Sequence, residues 1–304
     1  MKLINSNYEI IEPVDYSLDN LYRFIELCGR VCYRSYDKIT PDSATKFVDR
    51  MIKSGHTSVL EHGTIYLEIP WAENWEKYKY NPYSRCNNSP LGDDFSIIAV
   101  TTNYRVLIEN NWLDDLKYMC EPTEYHERRY TVRFVCDRGV SHEFVRHRHF
   151  SFSQESTRYC NYSKDKFGNG LTFIKPCWLD MRDTDEGREV TRDWNFDILD
   201  GCSIIAEEGE FDDARDAFLT SLNVAEHCYL ELLQKGWKPQ QARAVLPNAL
   251  KTELIMTGFT SDWEHFFGLR DDKKAHPDAY KLAHDLHNEF VTRNYTYGET
   301  NSEE

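Results

Sequence analysis

The run Arg146-His147-Arg148-His149-Phe150-Ser151-Phe152-Ser153-Gln154-Glu155-Ser156-Thr157-Arg158-Tyr159 packs three arginines, two histidines and three serines into fourteen residues, with aromatics threaded between them. The preceding Gly139-Val140-Ser141-His142-Glu143-Phe144-Val145 has the spacing of a helix that carries Val140, Phe144 and His147 near one face. Taken alone, such a cluster reads as a solvated basic face or as a nucleic-acid patch. Both readings belong to chains that are basic overall. This chain carries 51 acidic against 36 basic residues, a formal charge of −15, so the cluster needs a local explanation.

A zinc site fails on spacing. His142-Glu143-Phe144-Val145-Arg146-His147 resembles H-E-x-x-H, but its histidines are five apart, which turns the second roughly 140° from the first. Small anions fit better. Guanidinium forks suit phosphates, and serine hydroxyls and backbone N–H groups complete their coordination.

At this point the chain resembles the flavin-dependent thymidylate synthases. Arg146-His147-Arg148, seven residues, then Ser156 matches the family's R-H-R-x7-S signature. Other blocks follow in the family's order: Gly55-His56-Thr57-Ser58-Val59-Leu60-Glu61-His62, Ala242-Arg243-Ala244-Val245-Leu246-Pro247-Asn248, and Trp263-Glu264-His265-Phe266-Phe267-Gly268-Leu269-Arg270. The resemblance covers about residues 28–69 and 129–295.

It implies conversion of dUMP to dTMP, with methylenetetrahydrofolate supplying the carbon and NADPH the reducing equivalents through FAD. Arg146, His147 and Arg148 match residues that hold FAD, as do Ser58, Gln154 and His265, with His56 and Glu61 near the isoalloxazine. Glu143, Arg146, Gln154, Glu155, Ser156, Thr157 and Arg158 fall on the segment similar to the dUMP site, with Arg158 and Arg243 as candidates for the phosphate. Ser156 then serves as a binding hydroxyl and backbone donor, and methylene transfer proceeds without an enzyme nucleophile. Arg270 matches the arginine on the uracil and is the expected catalytic residue. A permanent cation suits charge that develops on the ring. Plainer readings stand beside these: a surface basic turn for Arg146–Arg148, a structural histidine for His56, ordinary ion pairs for Arg158 and Arg243. Cys32, Phe259 and Lys274 depart from the family pattern, which bears on the adenine and ribose end of FAD.

Composition sets the class. Hydrophobic content of 40% with 14% aromatics is that of a globular chain. The negative charge disfavours nucleic acid and anionic membrane as partners. Nine scattered cysteines without a C-x-x-C pair read as reduced thiols. Met1-Lys2-Leu3-Ile4-Asn5 has no secretory character, and no apolar run spans a bilayer. The expectation is a cytoplasmic protein with no metal.

Along the chain, residues 3–12 read as a strand and Asp19 to Cys32 as a helix. Thr40-Pro41 reads as a helix start, and His56 to His62 as a turn after Gly55. Thr64 to Ile69 alternates as a strand. Residues 70–128 exceed the compact relatives and read as a folded insertion: a polar loop (Tyr78 to Asp94), a strand (Phe95 to Val100) and a helix (Asn103 to Met119). Arg129 to Cys136 is a strand, and Asp180 to Asp200 an acidic surface loop. Phe211 to Gly236 is an amphipathic helix with a stripe of Ala214, Ala217, Phe218, Leu222, Ala225, Cys228, Tyr229 and Leu232. A short helix from Pro239 contains Arg243. Leu254 to Thr257 is a strand, Asp262 to Leu269 and Pro277 to Tyr295 are helices, and Glu299 to Glu304 is a tail. The expected fold is α+β, a mostly antiparallel sheet flanked by helices, in a single domain with an insertion at about 70–128. The resemblance adds homotetramers whose sites draw on several subunits.

Two rivals predict different behaviour. A non-catalytic nucleotide- or RNA-binding protein using Arg146–Tyr159 binds oligonucleotides in a salt-dependent way and carries no chromophore. A metallohydrolase using His56, His62, His142 and His147 holds stoichiometric metal.

Overall fold

A computed structural model describes residues 1–89, 97–164, 167–179, 197–199, 203–205 and 213–295. The expected acidic loop at 180–200, the tail at 299–304 and parts of the Tyr78–Asp94 loop fall largely outside the described residues. Antiparallel sheets and flanking helices make the chain α+β, as its patterning predicts. It divides into two compact units: Met1–Asn5, Asp137–Gly139 and Thr157–Lys251 form the first; Ser6–Cys136, Val140–Ser156 and Thr252–Glu304 form the second.

The elements in chain order are β1 (Lys2–Ile4), β2 (Asn7–Ile11), α1 (Leu18–Arg30), α2 (Ser43–Lys53), β3 (Thr64–Pro70), α3 (Glu76–Lys79), β4 (Arg85–Ser89), β5 (Ile97–Asn103), α4 (Tyr104–Asn110), β6 (Arg129–Asp137) and α5 (Arg138–Phe144). They continue with β7 (Ser151–Gln154), β8 (Thr172–Ile174), β9 (Asp197–Leu199), β10 (Ser203–Ile205), α6 (Ala214–Gln234), α7 (Pro239–Ala242), β11 (Lys251–Phe259), α8 (Thr260–Arg270) and α9 (Pro277–Thr292).

In the second unit, β2, β6, β11 and β7 form a four-stranded sheet in that order. β2 runs antiparallel to β6, and β7 to β11 with Leu254 opposite Gln154. Its apolar positions pack with α5, α8 and α9 into a core of Phe134, Phe144, Phe150, Trp263, Phe266 and Phe290. Gly258 is required there, since a Cβ would stand 2.5 Å from the Phe150 ring. The single strand expected over residues 3–12 is two strands, β1 and β2, which belong to different sheets.

The 70–128 segment enters a second core of the same unit. β5 is the middle strand of the sheet β3-β5-β4, paired with β3 from Thr64↔Asn103 to Pro70↔Ile97. Tyr78, Ile98, Val100, Tyr104 and Leu107 share one buried cluster with Leu21, Ile25, Phe47, Leu60 and Leu67. The helix expected over Asn103 to Met119 is shorter. Asn103 caps α4 by accepting from Val106 N–H at 3.2 Å, Asn111 closes it at φ 58°, and a separate 3-10 helix spans Leu113–Tyr118. α2 starts after the expected Thr40-Pro41, because Ser43 Oγ accepts from Thr40 N–H at 2.9 Å and holds residues 40–43 as a turn. The expected turn at His56–His62 is a 3-10 helix over Thr57–His62.

In the first unit β1 pairs parallel with β8 and β9 antiparallel with β10. α6 is capped by Asp213 and followed by Gly236 at φ 92°. Leu222 and Tyr229 of the predicted stripe are buried, with Leu219, Thr220 and Glu226 beside them; Phe218 and Leu232 of the stripe pack partly buried against the same core, and Ala214 is exposed. Glu226, outside the predicted stripe, is buried because it accepts Leu171 N–H at 2.7 Å across Gly170, where a Cβ would meet its carboxylate at 2.8 Å. Among the described residues no helix is long and apolar enough to cross a membrane.

Candidate functional site

Phe144 ends α5 in the aromatic core, with ring centroids 5.0 Å from both Phe134 and Phe266. Beyond it the chain turns: Arg146 N–H donates to Glu143 O (3.4 Å), His147 N–H to Phe144 O (3.1 Å), and Phe150 N–H to His147 O (3.2 Å). The Arg-His-Arg triplet therefore lies outside the helix. The turns send His147 inward and leave both arginines exposed. Neither guanidinium has a hydrogen-bond or ion-pair partner among the described residues.

Arg270, the last residue of α8, closes over this turn. Its Nη1 donates to Glu143 Oε2 at 2.6 Å, Nη2 to Glu143 O at 2.8 Å, and Nε to His147 Nε2 at 3.0 Å. The cation so meets the carbonyl end of α5 as well as a carboxylate. His147 is 7% exposed, and burial, then the charges of Arg270, His265 and Arg146, push its pKa down to about 4. Because arginine only donates, His147 Nε2 presents its lone pair and the ring proton sits on Nδ1. His265 is exposed, with its ring 6.1 Å from that of His147. Gln154, at the end of β7, donates to Ser141 Oγ (2.8 Å) and Thr252 Oγ1 (3.3 Å). Glu155 is buried, its N–H on Glu253 O (2.9 Å), and Ser156 N–H donates to Cys32 O (3.1 Å).

The 3-10 helix Thr57–His62 and the residue before it, His56, carry three more of the expected residues. His56 and Ser58 are exposed, and Glu61 is half-buried in an ion pair with Arg105. His62 is fully buried. Its Nδ1 meets Thr257 Oγ1 at 2.7 Å and its Nε2 meets Ser153 Oγ at 3.0 Å. Burial, then the charge of Arg129, lowers its pKa to about 3. His62 is thus a satisfied core histidine, and no cluster of three or more metal-ligating side chains occurs among the described residues.

Arg129, which spacing did not single out, donates to Glu61 O (3.0 Å), Thr64 Oγ1 (3.1 Å) and Ser151 Oγ (3.2 Å). The Phe259 ring is a platform under Arg85 (4.4 Å) and Arg129 (5.3 Å), which gives this departure from the family pattern a packing role. Lys274 is exposed and Cys32 half-buried. A cavity of about 270 Å³ lies in the same unit between Tyr16, Phe24, His62, Arg129 and Tyr295; none of the expected site residues lines it.

In the first unit Arg243 Nη1 donates to Thr157 Oγ1 at 3.3 Å. Thr157 is buried and Arg243 exposed, as is Arg158, whose guanidinium lies 5.3 Å from the Tyr159 ring centroid.

Two proteins named flavin-dependent thymidylate synthase are similar to the chain. The one from Corynebacterium aurimucosum is 25% identical over 272 residues, covering 89% of this chain and 76% of its own; the one from Mycobacterium leprae is 26% identical over 290 residues, covering 90% and 79%. The crystal structure of a UMP/dUMP methylase, PolB, from Streptomyces cacaoi with bound 5-Br dUMP aligns over 96% of this chain and 93% of its own, with TM-score 0.41 and 17% identity. The family described as thymidylate synthase complementing protein matches residues 111–293, which take in β6, the Arg146 turn, Arg243 and Arg270. That match spans more than half of the chain and both ends of the Arg270–His147 contact, and the protein belongs to this family.

Proposed function

We propose that this protein is a flavin-dependent thymidylate synthase, a methyltransferase that converts dUMP to dTMP. One-carbon transfer from methylenetetrahydrofolate leaves a methylene that must gain two electrons to become methyl, and NADPH supplies them through FAD. The observation that carries the reading is Arg270 folded onto Glu143 and His147, beside two guanidinium groups that have no hydrogen-bond or ion-pair partner among the described residues, in a chain of net charge −15. Cations without protein partners fit the diphosphate of FAD: Arg146 and Arg148 would hold it, with Ser58, His147, Gln154 and His265, and His56 and Glu61 nearer the ring. When bound, the flavin supplies the hydride chemistry; the protein supplies orientation and fixed charge.

The protein's own groups have distinct tasks. Arg270 takes the uracil and opposes the negative charge that grows on it. His147, neutral and accepting at Nε2, fixes the guanidinium plane without adding a second cation. Glu143, Arg146, Gln154, Glu155, Ser156 and Thr157 bind the nucleotide, with Arg158 and Arg243 on its phosphate. Ser156 acts as a binding hydroxyl, so no covalent enzyme–substrate bond forms. A homotetramer, a cytoplasmic location and one domain with the 70–128 insertion complete the reading.

Purified protein is expected to be yellow, to bleach on reduction, and to oxidise NADPH only when dUMP and methylenetetrahydrofolate are present. A colourless protein that takes up no FAD and binds oligonucleotides in a salt-dependent way would replace this function with nucleic-acid binding.

A further inference from the structure

The 3-10 helix Thr57–His62 is six residues long, beyond the three or four at which its strained hydrogen bonding is usually sustained. It is held from outside. Tyr104 N–H, in the first turn of α4, donates to Gly63 O at 2.9 Å. Arg105 and Glu109 follow four apart on one face of α4. Arg105 ion-pairs Glu61 through Nη1 and Glu109 through Nε at 2.7 Å, and Glu109 Oε1 accepts from Thr57 Oγ1 at 2.8 Å. Arg129 holds the backbone of Glu61 from another direction, at 3.0 Å. Both ends of the 3-10 helix are therefore gripped by α4, and the exposed Ser58 lies between the two grips.

We propose that Arg105, contributed by the 70–128 segment, is a positioning residue for flavin binding: it orients Glu61, and through Glu61 and Glu109 it fixes the segment that presents His56 and Ser58. This rests on the flavin reading of those three residues. Charge adds to geometry. Without Arg105, Glu61 and Glu109 leave two uncompensated carboxylates beside an anionic cofactor, and the guanidinium is the group that spans both. Lysine keeps the charge but brings a point cation in place of the fork.

The test is FAD affinity of the full chain by quenching of flavin fluorescence, with folding followed by circular dichroism. Arg105→Met is expected to weaken FAD binding at least tenfold while the protein stays folded, and Arg105→Lys to recover part of the loss. The double variant Arg105→Met/Glu109→Gln, which removes one of the two uncompensated carboxylates without touching a flavin-site residue, is expected to bind FAD more tightly than Arg105→Met alone, with both variants equally folded by circular dichroism. Wild-type affinity in Arg105→Met, or additive losses in the double variant, would overturn the inference. Should Arg105→Met fail to fold, Arg105→Lys decides: folded protein with undiminished affinity and an unshifted bound-flavin spectrum overturns it. Wild-type protein that takes up no FAD would overturn the flavin reading, and this inference with it.

Discussion

Replacing Arg270 by alanine separates catalysis from folding. In the free protein the side chain makes three hydrogen bonds, all to Glu143 and His147, and keeps 15% of its surface exposed. Glu143 is 30% exposed and rehydrates when its partner is removed. The partly exposed pair contributes about 1 kcal/mol, and the donors lost to His147 and to the Glu143 carbonyl about 0.5 kcal/mol each. The expected loss of stability is therefore about 2 kcal/mol at most. The catalytic loss is larger, because a preorganised donor aimed at developing charge is worth about 10²–10³ in rate, roughly 3–4 kcal/mol. The variant should bind FAD, unfold at slightly lower urea, and lose a hundredfold or more in dUMP-dependent kcat/KM, measured by NADPH oxidation. The His147 imidazole supplies an internal check. Arg270 is the leading charge that depresses it, after burial itself, so its NMR titration should move up from about 4 in the variant. A fall in activity below tenfold, or one that merely follows the unfolded fraction, would refute the role given to Arg270.

Two further predictions concern the frame around the site. His62 titrates near 3 when folded and near 6.5 when unfolded, so the unfolded chain takes up a proton that the native state refuses. Its contribution is complete above pH 6.5 and falls by about 1.4 kcal/mol per unit as the pH drops toward 3. Between pH 6.5 and 5, wild type should lose roughly 2 kcal/mol more of its urea-unfolding free energy than His62→Gln does; equal slopes would disprove the linkage. Ile98→Ala, at a position 1% exposed on β5, should cost about 2–5 kcal/mol in the unfolding of the second unit, and an unchanged urea midpoint would show that the 70–128 segment lies outside its core.

Local hydrophobic patterning is enough for α1, β3, β6, α8 and α9, whereas β11, buried at all nine positions, is legible only over Leu254–Thr257. The Arg-His-Arg and Trp263–Arg270 blocks are legible for another reason: their order and spacing are a family pattern, which singles out Arg270, His147 and Glu143 without reference to their contacts. Tertiary structure alone decided the rest. Nothing in the spacing of β5 says that it sits between β3 and β4, since strand pairing is a non-local choice. Arg105 meets Glu61 across 44 residues, and an isolated arginine on a short helix carries no sign of that partner. Hydrophobic spacing does not encode the burial of Glu226 on α6, which follows from its hydrogen bond to Leu171 N–H. Sequence by itself determined which residue types and local faces were available; the fold decided which charges meet, because an ion pair or a buried carboxylate is defined by its neighbours in space and not by those in the chain.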